Sequence, residues 1–389
     1  MIPIETIAQN GRVQAALAQF PDAVAEIVSQ AIAIQQIPAP TFAEAERAAY
    51  LAQRFNELGL QDVTLDELHN VYGRFPGSQP QNHPPVIISA HTDTVFPAGT
   101  DLTVREEGSV TYGPGIGDNS TGVAGLIGLV KSLQLHGIRP LADIWLVANV
   151  GEEGLGDLRG MREVVARFDG EAIYLVVEGG LFGQISHQAI GVRRYEITFR
   201  TAGGHSWGNF GQRSAIHELG KFIAAIDKLK VPTSPKTTYN VGVIQGGTSI
   251  NSIAQSANLL LDLRSEAPER LANLVAEVEK LVAQWQAQPE VQVEMAQIGN
   301  RPAGQLPRNA PLVQQAVAAL RQVGCDKISF IASSTDANVP LSLGYTAICI
   351  GLTESGNAHR LDEYMDSTHL PAGMGQLLLL ALSAAGISP

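Results

Sequence analysis

Three short apolar runs constrain this chain more than any other feature: Pro85-Val86-Ile87-Ile88-Ser89-Ala90, Asp143-Ile144-Trp145-Leu146-Val147-Ala148 and Ile173-Tyr174-Leu175-Val176-Val177. A strand with one wet face alternates polar and apolar residues, whereas a run apolar throughout must be covered on both faces. A helix-length segment, Gly122 to Leu135, separates the first two runs. Buried strands alternating with helices predict a largely parallel sheet sandwiched between helices, an α/β/α architecture. Ahead of them, Thr41-Phe42-Ala43-Glu44 fits a capping box, with Thr41 and Glu44 satisfying free amides of a first helical turn. Ala45, Ala48, Leu51, Phe55 and Leu58 then recur at helical spacing on one apolar face.

From about residue 191 the pattern changes. Val192 to Arg200 alternates like a half-exposed strand, and Ser214 to Lys230 has helical spacing. Strands at Tyr239–Ile244 and Ala257–Arg264, a helix at Glu269–Gln286 and a strand at Val291–Ala296 complete a β-α-β-β-α-β order, that of a ferredoxin-like sandwich. Helix and strand alternate again beyond Gly299, with helices at Ala310–Val323 and Gly373–Ala385 around a strand at Tyr345–Ile350. A length of 389 residues exceeds one ordinary core. The expected organisation is therefore a catalytic α/β/α domain, 1–190 with 299–389, interrupted by a smaller domain, 191–298.

Composition narrows the function. A net charge of −12, from 26 basic and 38 acidic side chains, argues against a protein that grips nucleic acid. The N-terminus lacks the basic and apolar regions of a secretory signal. The longest apolar stretch, Leu377 to Ile387, is well short of the ~20 residues that cross a bilayer. Cys325 and Cys349 are isolated and read as buried free thiols, so the expected setting is the cytoplasm, away from membranes.

The chemistry lies where the buried strands end. Ligands of open α/β sheets bind beyond the carboxyl ends of the strands. His91-Thr92-Asp93 follows the first strand, Glu152-Glu153 the second, and Glu178 ends the third. Asp118 lies in the Gly-rich turn Gly113-Pro114-Gly115-Ile116-Gly117-Asp118, and His359 follows the later strand. So many carboxylates on one edge repel one another unless a cation is present, and a pair of divalent ions removes that cost. Nitrogen and oxygen donors without thiolate suit zinc, with cobalt and manganese as alternatives.

These motifs resemble the di-zinc metallopeptidase family that includes carboxypeptidase G, peptidase T, aminoacylase, acetylornithine deacetylase and succinyl-diaminopimelate desuccinylase. The resemblance runs over nearly the whole chain. It implies Asp118, Glu153 and His359 as ligands of one metal, and His91, Asp118 and Glu178 as ligands of the other. It implies that Asp93 orients His91 and that Glu152 is the general base in hydrolysis of a peptide or N-acyl amide bond. In the smaller domain Gly203-Gly204-His205-Ser206 resembles the turn whose His contacts the substrate oxyanion across a dimer interface. The segment Gly246-Gly247-Thr248-Ser249-Ile250-Asn251 resembles the loop whose Asn does likewise, and Leu261-Asp262-Leu263-Arg264 the strand whose Arg holds a substrate carboxylate. The smaller domain is therefore expected to be a lid and a homodimer interface, and the substrate a small peptide or N-acyl amino acid.

Asn119-Ser120-Thr121 after Asp118 looks closer to peptidase T, whereas Glu178 is the choice of the deacylase-like branches, so the two classes of amide stay open. Gly204-His205-Ser206-Trp207-Gly208 also satisfies the G-x-S-x-G pattern of a serine hydrolase, with Asp336 and His359 in the required order. That elbow needs a strand running straight into a helix, and Gly208-Asn209-Phe210-Gly211 intervenes. A non-catalytic peptide-binding module would be expected to lack the base or a ligand, and neither is missing. The Gly113–Gly117 run lacks the Lys and Ser/Thr of a phosphate loop.

Overall fold

The computed structural model describes residues 1–168 and 172–388. Its contacts divide into two compact units, one formed by Met1–Ala189 with Gln305–Pro389 and the other by Ile190–Gly304.

The first unit is built on a nine-stranded sheet. At its centre the strands Ile144–Asn149, Val86–His91, Ile173–Glu178 and Thr346–Gly351 lie side by side in that order, all parallel. Side chains of a strand alternate between its two faces. Val86, Ile88 and Ala90, with Leu146, Leu175 and Ile348, pack on one side into the core that holds Ile27, Leu126 and Leu378. Ile87, Val147, Tyr174 and Cys349 face the other side, against Met161, Val164 and Leu341. The helices Gly11–Gln35, Thr121–Leu135 and Leu370–Ala385 therefore cover one face, and Arg159–Phe168 with Asn338–Ser342 the other. Two covered faces are what the uninterrupted apolar runs require.

Several local expectations are corrected. The capping box does not form: Thr41 Oγ1 donates to Asp93 Oδ2 at 2.8 Å. Both Glu44 oxygens accept from Arg159 Nη2, and the helix starts at Ala45 without a side-chain cap. Glu44 Oε1 also accepts from Phe42 N at 3.0 Å, but Thr41 turns to a tertiary partner instead of the first-turn amides. The strands Gln184–Ala189 and Ser329–Ser333, which pair in parallel, carry too many polar residues to stand out as apolar runs. Cys349 is buried, but Cys325 is only partly so.

The second unit is a four-stranded antiparallel sheet in the order Thr237–Gly246, Ser256–Ser265, Gly191–Arg200, Gln292–Arg301. With the helices Ala215–Ile226 and Pro268–Gln286 between them in sequence, the order is β-α-β-β-α-β. Alternate residues Tyr195, Ile197 and Phe199, with Leu259, Leu261 and Leu263, meet Phe222, Leu274 and Val278 in its core. The boundary at 298/299 falls inside the last strand, which runs to Arg301; a mixed polar sequence hid its continuation. Among the described residues, no helix is long and apolar enough to cross a membrane.

Candidate active site

The parallel strands of the first unit share one direction, so their carboxyl ends share one edge. His91 ends its strand in register with Asn149, and Glu178 ends the next, opposite Gly351. From Val86–His91 the chain passes to the neighbour on one side, Ile144–Asn149, and then to the neighbour on the other, Ile173–Glu178. Such a reversal opens a crevice at the carboxyl edge.

Side chains converge there. His91 Nε2 lies 3.0 Å from Asp118 Oδ1 and 3.6 Å from Glu178 Oε2. His359 Nε2 lies 3.3 Å from Asp118 Oδ2 and 3.2 Å from Glu153 Oε1. Asp118 thus turns one oxygen to each imidazole. The donor atoms of His91, Asp118 and Glu178 lie within 4.8 Å of one another, as do those of Asp118, Glu153 and His359 and those of His91, Glu152 and Glu153.

Asp93 is fully buried behind this cluster. Its Oδ1 accepts from Glu152 N and its Oδ2 from Glu153 N, each at 3.0 Å, so it braces the loop carrying both glutamates. His91 Nδ1 lies 3.1 Å from the Asp93 carbonyl oxygen and 3.7 Å from its carboxylate. An Nδ1 proton donated to that carbonyl leaves the Nε2 lone pair facing Asp118 and Glu178, the tautomer a ligand imidazole needs.

The electrostatics match. Burial opposes a proton on His91, yet its contacts with Asp118, Asp93 and Glu178 hold its pKa well above the ordinary value. Asp118 and Glu153 push His359 up to about 10. Burial would lift the Asp118 carboxyl, but His359 and His91 hold it below the usual range. This concentration of carboxylate draws positive charge, as protons on the imidazoles or as divalent ions in their place. The donor set, two imidazoles and several carboxylates with no sulfur, fits zinc, manganese or cobalt.

Neighbours without a recognisable motif complete the site. Asn119 donates to Val177 O at 2.8 Å and accepts from Gly179 N at 2.8 Å, tying the Asp118 turn to the strand that ends in Glu178. Gly179 has to be glycine for space, since a Cβ there would stand 2.1 Å from Gly117 O. Asp336 is fully buried, accepts from Asn149 Nδ2 at 2.7 Å, and is pushed up to about 7 by burial. Nothing local marks Thr41 as a partner of Asp93, or Asp336 as a partner of Asn149; only the fold brings each pair together.

His205, Asn251 and Arg264 lie in the second unit. Gly204–His205 pairs with Ser252–Ile253, and Ser206 N donates to Asn251 O at 3.0 Å, so His205 and Asn251 share one loop cluster. A cleft of about 560 Å³ lined by Gly204, Gly247, Thr248 and Ser252 adjoins them. His205 Nδ1 accepts from Trp207 N and Gly208 N, which leaves the proton of a neutral ring on Nε2, free to donate. Arg264 is not with them. It sits eight residues along the strand from Ser256, about 27 Å at strand spacing, paired in register with Val192. Its Nε donates to Asp262 Oδ1 at 2.6 Å. Ser206 directly follows a two-residue strand and opens a turn, and the next helix begins only at Ala215, so no strand-to-helix elbow presents it.

Known proteins resemble this chain over most of its length. The profile described as Peptidase family M20/M25/M40 matches residues 87–383. Carboxypeptidase G2 of a Pseudomonas species is 25% identical over 316 residues, 78% of this chain and 74% of its own. Peptidase T of an Exiguobacterium species is 21% identical over 362 residues, 82% and 86% of the two chains. A tripeptidase structure from Staphylococcus aureus superposes with a TM-score of 0.78 at 20% identity, covering 93% of this chain and 98% of that one.

Proposed function

Because the chain belongs to peptidase family M20/M25/M40, we propose that it is a binuclear metal-dependent hydrolase that cleaves a peptide bond of a small substrate. The reading is that of an exopeptidase of di-/tripeptidase or carboxypeptidase type. The observation that carries it is Asp118, whose two oxygens face two separate imidazole and carboxylate sets. In this reading Asp118, Glu153 and His359 would hold one ion, and His91, Asp118 and Glu178 the other. Two divalent cations held there, zinc first among them, would supply polarisation of the scissile carbonyl and acidification of the attacking water. Glu152 takes the water's proton and returns it to the departing nitrogen. Asp93 keeps Glu152 and Glu153 in place through their amides. His205 Nε2–H and Asn251 donate to the carbonyl oxygen as negative charge builds on it. Arg264 receives a substrate carboxylate, exchanging part of its pairing with Asp262. An N-acyl-amino-acid deacylase is the second reading, favoured by Glu178 at the third strand end.

The separation of Arg264 from His205 and Asn251 supports a homodimer. Ser256, which lines the same cleft as Gly204, stands about 27 Å from Arg264 along their strand, too far for one small substrate to reach both ends; two copies can supply one end each. Mixing inactive Glu152→Gln with inactive His205→Ala is therefore expected to restore activity, because mixed dimers contain one site with both residues intact. Mixtures as dead as their parents, in dimers shown to exchange, would rule out action across the interface. A cytoplasmic setting fits the two unbridged cysteines.

The test of the function is mass-spectrometric cleavage of a pool of dipeptides, tripeptides and N-acyl amino acids, with zinc and with a chelator. Chelator-sensitive cleavage of free peptides is the expected result, and the products name the bond. Chelator-resistant cleavage, or none with either zinc or cobalt, would overturn the reading.

A further inference from the structure

Asp118 can serve two ions only if its carboxylate is aimed between His91 and His359, and its backbone gives little help. The Ile116–Ser120 segment is not a regular helix: Asp118 (φ −118°, ψ 88°) and Asn119 (φ −134°, ψ 34°) leave helical geometry. The amides of such a turn cannot all find carbonyls within it, so something else must satisfy them. On the downstream side the Asn119 side chain accepts from Gly122 N at 3.1 Å and ties the turn to Val177 O and Gly179 N.

On the upstream side one carboxylate does it. Glu363 Oε2 accepts from Gly115 N at 3.0 Å, and Oε1 accepts from Gly117 N at 2.9 Å and from Asp118 N at 2.8 Å. Glu363 is 1% exposed. A buried carboxylate is costly unless its oxygens are met, and three charge-assisted bonds to backbone amides meet them. The main chain joins in, with Gly113 N donating to Glu363 O at 2.8 Å. Glu363 lies four residues after His359, and the segment between is braced by Arg360 Nε and Asn357 Nδ2 on Asp362. One short segment thus delivers His359 to the outer oxygen of Asp118 and clamps the turn from which Asp118 projects.

We propose that Glu363 is the positioning residue for Asp118, its carboxylate fixing the turn so that the shared ligand meets both metal sets. It touches neither substrate nor metal in this role, which rests on the metal-hydrolase reading above. Outer-shell groups that orient a ligand are worth about 10–100-fold in metal affinity. Glutamine keeps the size of Glu363 but turns an NH2 group toward at least one of the three amides, leaving that N–H unpaired. It also removes a carboxylate that bonds the backbone of a residue that would hold both cations.

The experiment titrates metal-free wild type and Glu363→Gln with Co2+, following its visible absorption bands, and measures thermal melting of both proteins in chelator. The expected result is Co2+ affinity weakened about 10–100-fold, with altered bands, while the metal-free variant melts close to wild type. A variant that binds two Co2+ as tightly as wild type overturns the proposal. So does one whose only change is a lower melting temperature without metal, the signature of a purely structural residue. Should the glutamine protein fail to fold, Glu363→Asp, which keeps the charge and shortens the reach, is read in the same way. Failure of both to fold also assigns Glu363 to the fold rather than to the site. Wild type that takes up no Co2+ would instead sink the metal-hydrolase reading itself.

Discussion

Replacing Glu152 with glutamine is expected to lower kcat by about 10²–10⁴-fold, the range spanned by general acid–base groups, with little change in KM and none in metal content. The substitution preserves shape and leaves the backbone amide of residue 152 on Asp93 Oδ1. What it removes is the capacity to hold a proton between water and leaving nitrogen. An effect confined to kcat marks an interaction made in the transition state. The geometry gives this experiment a second edge. Glu152 also has a donor atom within 4.8 Å of those of His91 and Glu153, so a Glu152 that binds metal would reveal itself by lost metal. Steady-state kinetics beside elemental analysis of the same sample separates the roles.

Asp118→Asn should have the other large effect, loss of both ions and of measurable turnover. Each Asp118 oxygen faces a different imidazole, and an amide can offer an oxygen to only one of them. The loss is also readable as stability. A ligand present at 100 times its Kd stabilises the folded state by about 2.7 kcal/mol. Wild type should therefore melt higher with zinc than with chelator, and Asp118→Asn should melt alike in both. A variant that still gains stability from zinc and keeps its rate would remove Asp118 from the shared position. Protons supply a further check. His359, pushed up to about 10 by Asp118 and Glu153, is protonated in the metal-free protein at pH 8, whereas a ligand imidazole is neutral. Metal uptake at that pH should release protons, measurable as a buffer dependence of the binding heat. The sign for stability follows. The raised pKa stabilises the metal-free fold fully below the ordinary 6.5, and that contribution fades as pH rises through about 10.

Sequence alone determined the central strands and the edge at which the acids and imidazoles gather. A short apolar run such as Val86–Ala90, alternating with helix-length segments, reads as a strand covered on both faces, and the parallel direction that follows puts His91, Glu152, Glu153 and Glu178 at one set of ends. The β-α-β-β-α-β order of the second unit was legible for the same reason: local periodicity encodes which face is buried. Aim and partnership were decided by the tertiary structure. Thr41 looks like a helix cap, and only folding brings it to Asp93, 52 residues away. Glu363 carries no motif, and its meaning appears when it meets Gly115 across 248 residues. The resemblance gave His205 and Asn251 a role across a dimer interface and Arg264 a substrate carboxylate; only strand geometry sets Arg264 at the end of its strand, paired with Val192. A periodic pattern reports what each residue faces, core or water. Which distant side chain it faces depends on how the elements pack, and packing is a property of the whole chain rather than of any window of it.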